Sequence, residues 1–232
     1  MKTIERVVVP TSNLDLIRKA VKYATEYKVL VLVIGENGYG KTEGLKYLQH
    51  RYPKSIYYRV GVGEPARTFY ARFLSGLMDQ KDVNPEFLYQ KSYLYHLMDR
   101  ASYIINDKKD AIDLIIMDEF GNFNRKYISY IRQIWDDVNH NTGMVLAGPP
   151  SIYQDLLKWR KQQVKGINEL LSRIGSRVVV LEDHNKNDTK LICNSREIYG
   201  MDEINYFHSQ STDLRMLHSL IDDFQSGNLT IE

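Results

Sequence analysis

Residues 35–42 read GENGYGKT, directly after the apolar run VLVLVI at 29–34. No other stretch narrows the fold so far. A buried strand that breaks into three glycines ahead of a lysine and a threonine fits G-x-x-x-x-G-K-[ST], the phosphate-binding Walker A pattern. Gly35 and Gly40 allow backbone conformations that a Cβ would forbid, so that successive N–H groups can close on an anion. The segment that follows, KTEGLKYLQH, reads as a helix whose positive N-terminal end faces the same anion. Gly35, Glu36, Asn37, Gly38, Tyr39, Gly40, Lys41 and Thr42 are therefore the expected nucleotide loop. Lys41 is expected to reach the β- and γ-phosphates, and the Thr42 hydroxyl to join the shell of a Mg²⁺ ion. An ordinary glycine turn is the competing reading; the flanking strand and helix argue against it.

Four further apolar runs look like strands: SIYYRV at 55–60, DLIIM at 113–117, GMVLA at 143–147 and RVVVL at 177–181. They are apolar through most of their length instead of alternating, which is expected of strands covered on both faces. Helical stripes lie between them. Tyr70, Phe73, Leu74, Leu77 and Met78 share one face, and Leu94, Leu97, Met98, Ala101 and Ile105 share another. Alternating strands and helices predict an α/β fold, a P-loop NTPase with a mostly parallel sheet flanked by helices. Beyond 181 the chain becomes polar (EDHNKND) and then helical, with Leu214, Leu217, Leu220, Ile221 and Phe224 in one stripe. The expected division is a nucleotide-binding domain over 1–182 and a small helical lid over 183–232.

The run AIDLIIMDEF ends in two adjacent acids, Asp118 and Glu119. Burying charge is costly, so a buried strand ending this way should open into a polar cleft. Ligands of open α/β sheets collect at the carboxyl ends of the strands, where Lys41 also lies. Asp118 is then the candidate to hold Mg²⁺, and Glu119 to orient and deprotonate an attacking water. A solvated strand end is the plainer alternative. The stretch between Lys41 and Asp118 holds another strand and two helices, and a glutamate directly follows the aspartate. Both features favour ATP hydrolysis by a directly activated water and disfavour a small nucleotide kinase.

Composition sets wide limits. The chain has 232 residues, a net charge of +2 and a single cysteine, Cys193. An internal disulfide framework is excluded, and a reducing, cytoplasmic setting without membrane insertion is expected. Positive charge clusters at 41–72 and at 158–177, where a solvated face competes with a phosphate-contacting one. The six histidines show no metal spacing. Tyr89, Tyr93 and Tyr95 read as core or half-buried helix residues before base-stacking ones.

These features together resemble the AAA+ ATPases of the additional-strand, catalytic-glutamate type. More narrowly, the chain resembles the ATPase helper proteins of DNA transposition, the Mu B-like group and its relatives. The segments that carry the narrower resemblance are SIYYRVGVGEPARTFYARFLSGL, IMDEFGNFNRKYISYIRQIWDD, GMVLAGPPSIYQDL and LLSRIGSRVVVL. It extends from about residue 10 to 225. It implies ATP and Mg²⁺ as cofactors and an arginine finger acting on a neighbouring subunit at Arg173 or Arg177. It also implies a sensor 2 arginine at Arg215. The same resemblance implies a homo-oligomer, ring or helical filament, on double-stranded DNA, with a transposase or other recombination protein as partner. Arg67, Lys158, Arg160 and Lys161 are the first candidates for contact with DNA phosphates. One departure stands out: such ATPases carry a polar sensor 1 residue near the end of the fourth strand, where this chain has Gly148-Pro149-Pro150-Ser151. Slow or partner-dependent turnover is expected from it. A replication-type helicase loader or initiator is the nearest rival reading. A nucleotide-switched interaction protein with little turnover is the rival from another class.

Overall fold

The computed structural model describes residues 8–77, 93–107, 112–123, 125, 128–138 and 141–231. Met78, Tyr89 and His140, named above or counted among the histidines, lie outside these residues. The described chain opens with α1 (Ser12–Tyr27), β1 (Leu30–Ile34), α2 (Lys41–Gln49), β2 (Ser55–Arg59), α3 (Ala66–Leu77) and α4 (Leu94–Asp107). It continues with β3 (Leu114–Asp118), α5 (Ile128–Asp137), β4 (Gly143–Gly148), α6 (Pro150–Lys161), α7 (Ile167–Ile174) and β5 (Val178–Val180). Three helices close it: α8 (Lys186–Ser195), α9 (Met201–Gln210) and α10 (Leu214–Gln225). All five expected strands form.

The strands make one parallel sheet in the order β2-β3-β4-β1-β5. Leu30 pairs with Met144, and Ser55 with Leu114. β1, which leads into the glycine loop, and β3, which ends in Asp118, are therefore not neighbours; β4 lies between them. The three central strands are buried along their whole length because both of their faces are covered. Leu30, Leu32, Ile34, Ile115, Met117, Met144 and Leu146 pack on the face covered by α3–α7. Val31, Val33, Leu114, Ile116, Val145 and Ala147 pack on the face of α1 and α2. An unbroken apolar run is what two covered faces require.

The expectation of two-sided burial fails for β2 and β5. β2 alternates half-buried and buried positions, and Val180 of β5 is exposed. The strand order explains this, since these two are the edges of the sheet. The described members of the expected stripes on α3 and α4 do face the core. Tyr93 and Tyr95, expected to be at least half-buried, are instead exposed.

α8, α9 and α10 enclose a third core built on Ile192, Cys193, Ile198, Ile204, Phe207, Leu217 and Ile221. Its attachment to the sheet is polar. The buried Asn13 of α1 donates to the Tyr39 carbonyl (3.2 Å) and to the Glu182 carbonyl (2.7 Å). The buried Asp188 of α8 accepts from the Ser12 N–H (2.8 Å) and the Ser12 hydroxyl (3.1 Å). Each buried polar group thus finds a partner, Asn13 beside the start of the helical segment and Asp188 from within it. Asp183, His184 and Ser211 form a Ser–His–Asp chain, with Nδ1 2.8 Å from Asp183 and Nε2 2.7 Å from the Ser211 hydroxyl. Ser211 is buried and its hydroxyl donates to the Phe207 carbonyl (2.7 Å), so the trio ties two loops together and offers no nucleophile. Burial raises the Cys193 thiol to about 11, which leaves it unreactive at neutral pH. Among the described residues no helix is long and apolar enough to cross a membrane.

Candidate nucleotide site

β1 delivers the chain at the carboxyl edge of the sheet, and the loop turns through Gly38 (φ +89°) and Gly40 (φ +83°) into α2. A Cβ at Gly38 would sit 2.5 Å from the Asp213 carboxyl carbon, so the loop rests on the start of α10. Gly38→Ala would combine an unfavourable backbone angle, costing about 1–2 kcal/mol, with that clash. Its expected effect is at least tenfold weaker nucleotide binding and loss of the ATP-dependent rise in melting temperature, both readable by thermal shift.

Lys41 is buried, and its ammonium donates to the carbonyls of Gly35 (2.5 Å) and Glu36 (2.8 Å). Burial lowers its pKa; Glu119, Asp118 and Glu36 pull it back up, and Arg215 pushes it further down. An anion in the loop would favour the charged form, which is the sense required of a phosphate ligand.

Asp118 has no exposed surface, yet each carboxylate oxygen is engaged. Oδ2 accepts from the Thr42 hydroxyl (2.7 Å) and the Tyr57 hydroxyl (2.7 Å), and Oδ1 from the Glu119 N–H (2.8 Å). The Thr42 bond joins the glycine loop to β3 across the intervening β4. Among the described residues no group of three or more His, Cys, Asp and Glu converges on a metal position. A cation here would rely on Thr42 and Asp118 together with oxygens of the nucleotide and water. Such an all-oxygen set, with one or two protein ligands, suits Mg²⁺.

Glu119 adopts a left-handed conformation (φ 56°, ψ 36°), which a non-glycine residue rarely takes. It turns the chain out of β3 and sets the Glu119 side chain on the wall of the cleft. The carboxylate lies 3.4 Å from the Arg59 guanidinium at the end of β2. Beyond it, a Cβ on Gly121 would meet Pro149 at 2.7 Å. The end of β4 therefore packs closely against the turn after β3, and Ser151 faces solvent on α6. This is the physical counterpart of the missing polar residue after GMVLAG.

A cleft of about 690 Å³ runs from these groups between the sheet and the C-terminal helices. Asn37 to Gly44, Lys46, Arg59 and Glu119 line one side, and Leu214, Arg215, His218 and Arg196 the other. The structure thus brings Lys41, Thr42, Asp118, Glu119 and Arg215 together. It does not bring Arg173 or Arg177 to this cleft. Arg173 pairs with Asp136 (3.3 Å), and Arg177 donates to the carbonyls of Leu30 (3.1 Å) and Arg173, at the opposite edge of the sheet.

The basic cluster at 41–72 disperses. Lys41 enters the loop, Arg59 meets Glu119, Arg51 lies over the Tyr47 ring, and Arg72 pairs with the buried Glu64 (2.6 Å). Arg67 sits half-buried at the start of α3, apart from the cleft lining. Lys158, Arg160 and Lys161 instead share the exposed last turn of α6, where the helix dipole also favours cations. Arg125 reaches this turn through Gln162 (3.2 Å). Sequence reasoning missed Tyr57, Arg59, Asn13 and Asp213. Nothing in their spacing marks them, because each meets a residue far from it in the sequence.

A glycine loop on a central parallel strand, facing a strand-end acid pair with one strand between them, defines a P-loop nucleotide-binding protein. The model of the AAA domain matches residues 24–156, and the chain belongs to that family. Among solved structures, the chain is similar to the replication initiator DnaA bound to AMPPCP and single-stranded DNA, with a TM-score of 0.57 and 14% identity. That match covers 97% of this chain and 64% of the other. It is also similar to a signal transduction ATPase with numerous domains, a STAND protein with a tetratricopeptide repeat sensor from Pyrococcus horikoshii. There the TM-score is 0.56 and the identity 15%, over 94% of this chain and 30% of the other. The chain thus spans less than two thirds of either neighbour. At such identities the likeness concerns the fold. No curated protein matched the sequence.

Proposed function

We propose that the protein is a Mg²⁺-dependent ATPase of the AAA+ class that assembles on double-stranded DNA and regulates a transposase or related recombination protein. The observation that carries the ATPase reading is the Thr42–Asp118 hydrogen bond, with Lys41 and Glu119 beside it. Lys41 would hold the β- and γ-phosphates, Thr42 and Asp118 would hold Mg²⁺, and Glu119 would take the proton of the attacking water. Bound Mg²⁺ supplies charge neutralisation on the phosphates. Residues 183–232 act as a lid, with Arg215 presented to the phosphates from α10. Arg173 and Arg177 point away from their own cleft, which suits a role toward a neighbouring subunit.

For DNA, the exposed turn Lys158–Arg160–Lys161 is the stronger contact surface, with Arg67 a secondary one. The transposition assignment rests on the sequence segments around both motifs. A replication-type loader or initiator would use the same fold, as the likeness to DnaA indicates. The nucleotide-switch reading has its own support, because the end of β4 offers no polar side chain and Arg59 engages Glu119.

ATP hydrolysis measured with and without duplex DNA, together with electron microscopy of the ATP-bound mixture, tests the proposal. Stimulation with rings or filaments on DNA is the expected result. Turnover that ignores DNA, with no assembly, would overturn the DNA part. Replacing Lys158, Arg160 and Lys161 together with Glu should weaken DNA binding at every sequence tested. The log–log salt slope should also fall by about 3, roughly 0.9 for each phosphate that the turn ceases to neutralise.

A further inference from the structure

Among the three donors on Asp118, one belongs to neither motif. Tyr57 stands on β2 with its Cα opposite Ile116, two residues short of Asp118 along β3. Diagonal neighbours on one face of a sheet lie within reach of an aromatic side chain. The Tyr57 hydroxyl bridges that gap and donates to Oδ2 at 2.7 Å, the oxygen that also accepts from Thr42.

A carboxylate offers about four lone-pair directions, two on each oxygen. In Asp118, Thr42 and Tyr57 fill both on Oδ2, and the Glu119 N–H fills one on Oδ1. One acceptor position remains. The geometry points to Tyr57 as a positioning residue for Mg²⁺: it fixes the plane of the Asp118 carboxylate and leaves a single oriented acceptor for the metal's water shell. This rests on the Mg²⁺-ATP reading of the cleft and assigns to β2 a part that neither sequence motif contains. The phenol is suited to the task because it stays a donor. A phenol has one O–H to give, and here it goes to Oδ2. Without that hydroxyl the carboxylate would gain a second open acceptor and lose the bond that fixes its plane.

Tyr57→Phe keeps the ring and removes only the donor. The measurement is binding of a fluorescent ATP analogue, first in EDTA and then across a Mg²⁺ titration, for the wild type and Y57F. Unchanged affinity in EDTA is expected, with the Mg²⁺ concentration for half-maximal tightening raised about tenfold, the range seen when outer-shell partners of metal ligands are removed. In an Asp118→Asn background the same change should add nothing to the Mg²⁺ dependence. Equal Mg²⁺ dependence in wild type and Y57F would overturn the role of Tyr57 while leaving the ATP site intact. An equal loss of affinity with and without Mg²⁺ would also overturn it, because that pattern marks a merely structural contact. A wild type that binds no nucleotide would remove the ATP reading itself, and this inference with it.

Discussion

Lys41→Ala should lower ATP affinity by about 100-fold or more, below detection in a micromolar assay. The ammonium is already placed in the loop, held by two carbonyls of that loop and short of solvent. A charge-assisted hydrogen bond to a phosphate contributes about 1.5–3 kcal/mol, and more than one can form from the same nitrogen. Equilibrium binding of a fluorescent nucleotide reads the loss directly, and unchanged affinity would remove Lys41 from the site. The same residue gives the binding a pH dependence of known sign. Burial lowers the lysine's pKa in the free protein, whereas the unfolded chain keeps the ordinary value of 10.5. Between those two values the unfolded chain holds more protons, so the nucleotide-free fold gains stability as pH rises through that window. Bound phosphate favours the ammonium, so ATP binding takes up a proton there and weakens as the solution becomes alkaline.

Glu119→Gln should separate binding from turnover. Glutamine keeps the size of the side chain and loses only the basic carboxylate, so ATP affinity is expected to stay within about twofold while hydrolysis falls by about 10²–10⁴, the usual contribution of a general base. Any assembly formed on DNA should then persist, visible as filaments or rings that outlast those of the wild type. If the variant turns over ATP at the normal rate, Glu119 is not the base and another group must activate the water. Arg59 shapes what the wild type shows. Its guanidinium lies 3.4 Å from the Glu119 carboxylate, on a cleft wall otherwise ready for nucleotide. Slow basal turnover is the expected result of that pairing.

Both motifs were legible because each is local. The glycine loop is eight consecutive residues, and Asp118-Glu119 ends a run whose apolarity alone marks it as buried. The sheet's central strands were legible for the same reason, since cover on both faces removes every polar position from β1 and β4, and from β3 up to its terminal aspartate. Edge strands are harder. Nothing in RVVVL distinguishes an edge from a centre, and only the observed order exposes Val180. Tyr57 was invisible because its role depends on β2 lying beside β3 in one register. Asn13 and Asp188 were hidden more deeply still. They bond partners 169 and 176 residues away, and no periodicity encodes such a pairing. The basic cluster at 41–72 is a neighbourhood in sequence only, since members such as Arg59 and Arg72 meet different acids in space.

The place of β4 between β1 and β3 also governs when the site can come into being. As a growing chain leaves the ribosome, the first strands able to pair are β2 and β3, through Ser55 and Leu114. β1 must wait, with its glycine loop already synthesised, until Met144 arrives to pair with Leu30. A fragment ending just after Glu119 would therefore contain every residue of both motifs and lack the strand that joins them. The nucleotide site is a late product of synthesis, and nascent chains interrupted before β4 should pass through the cell without competing for ATP.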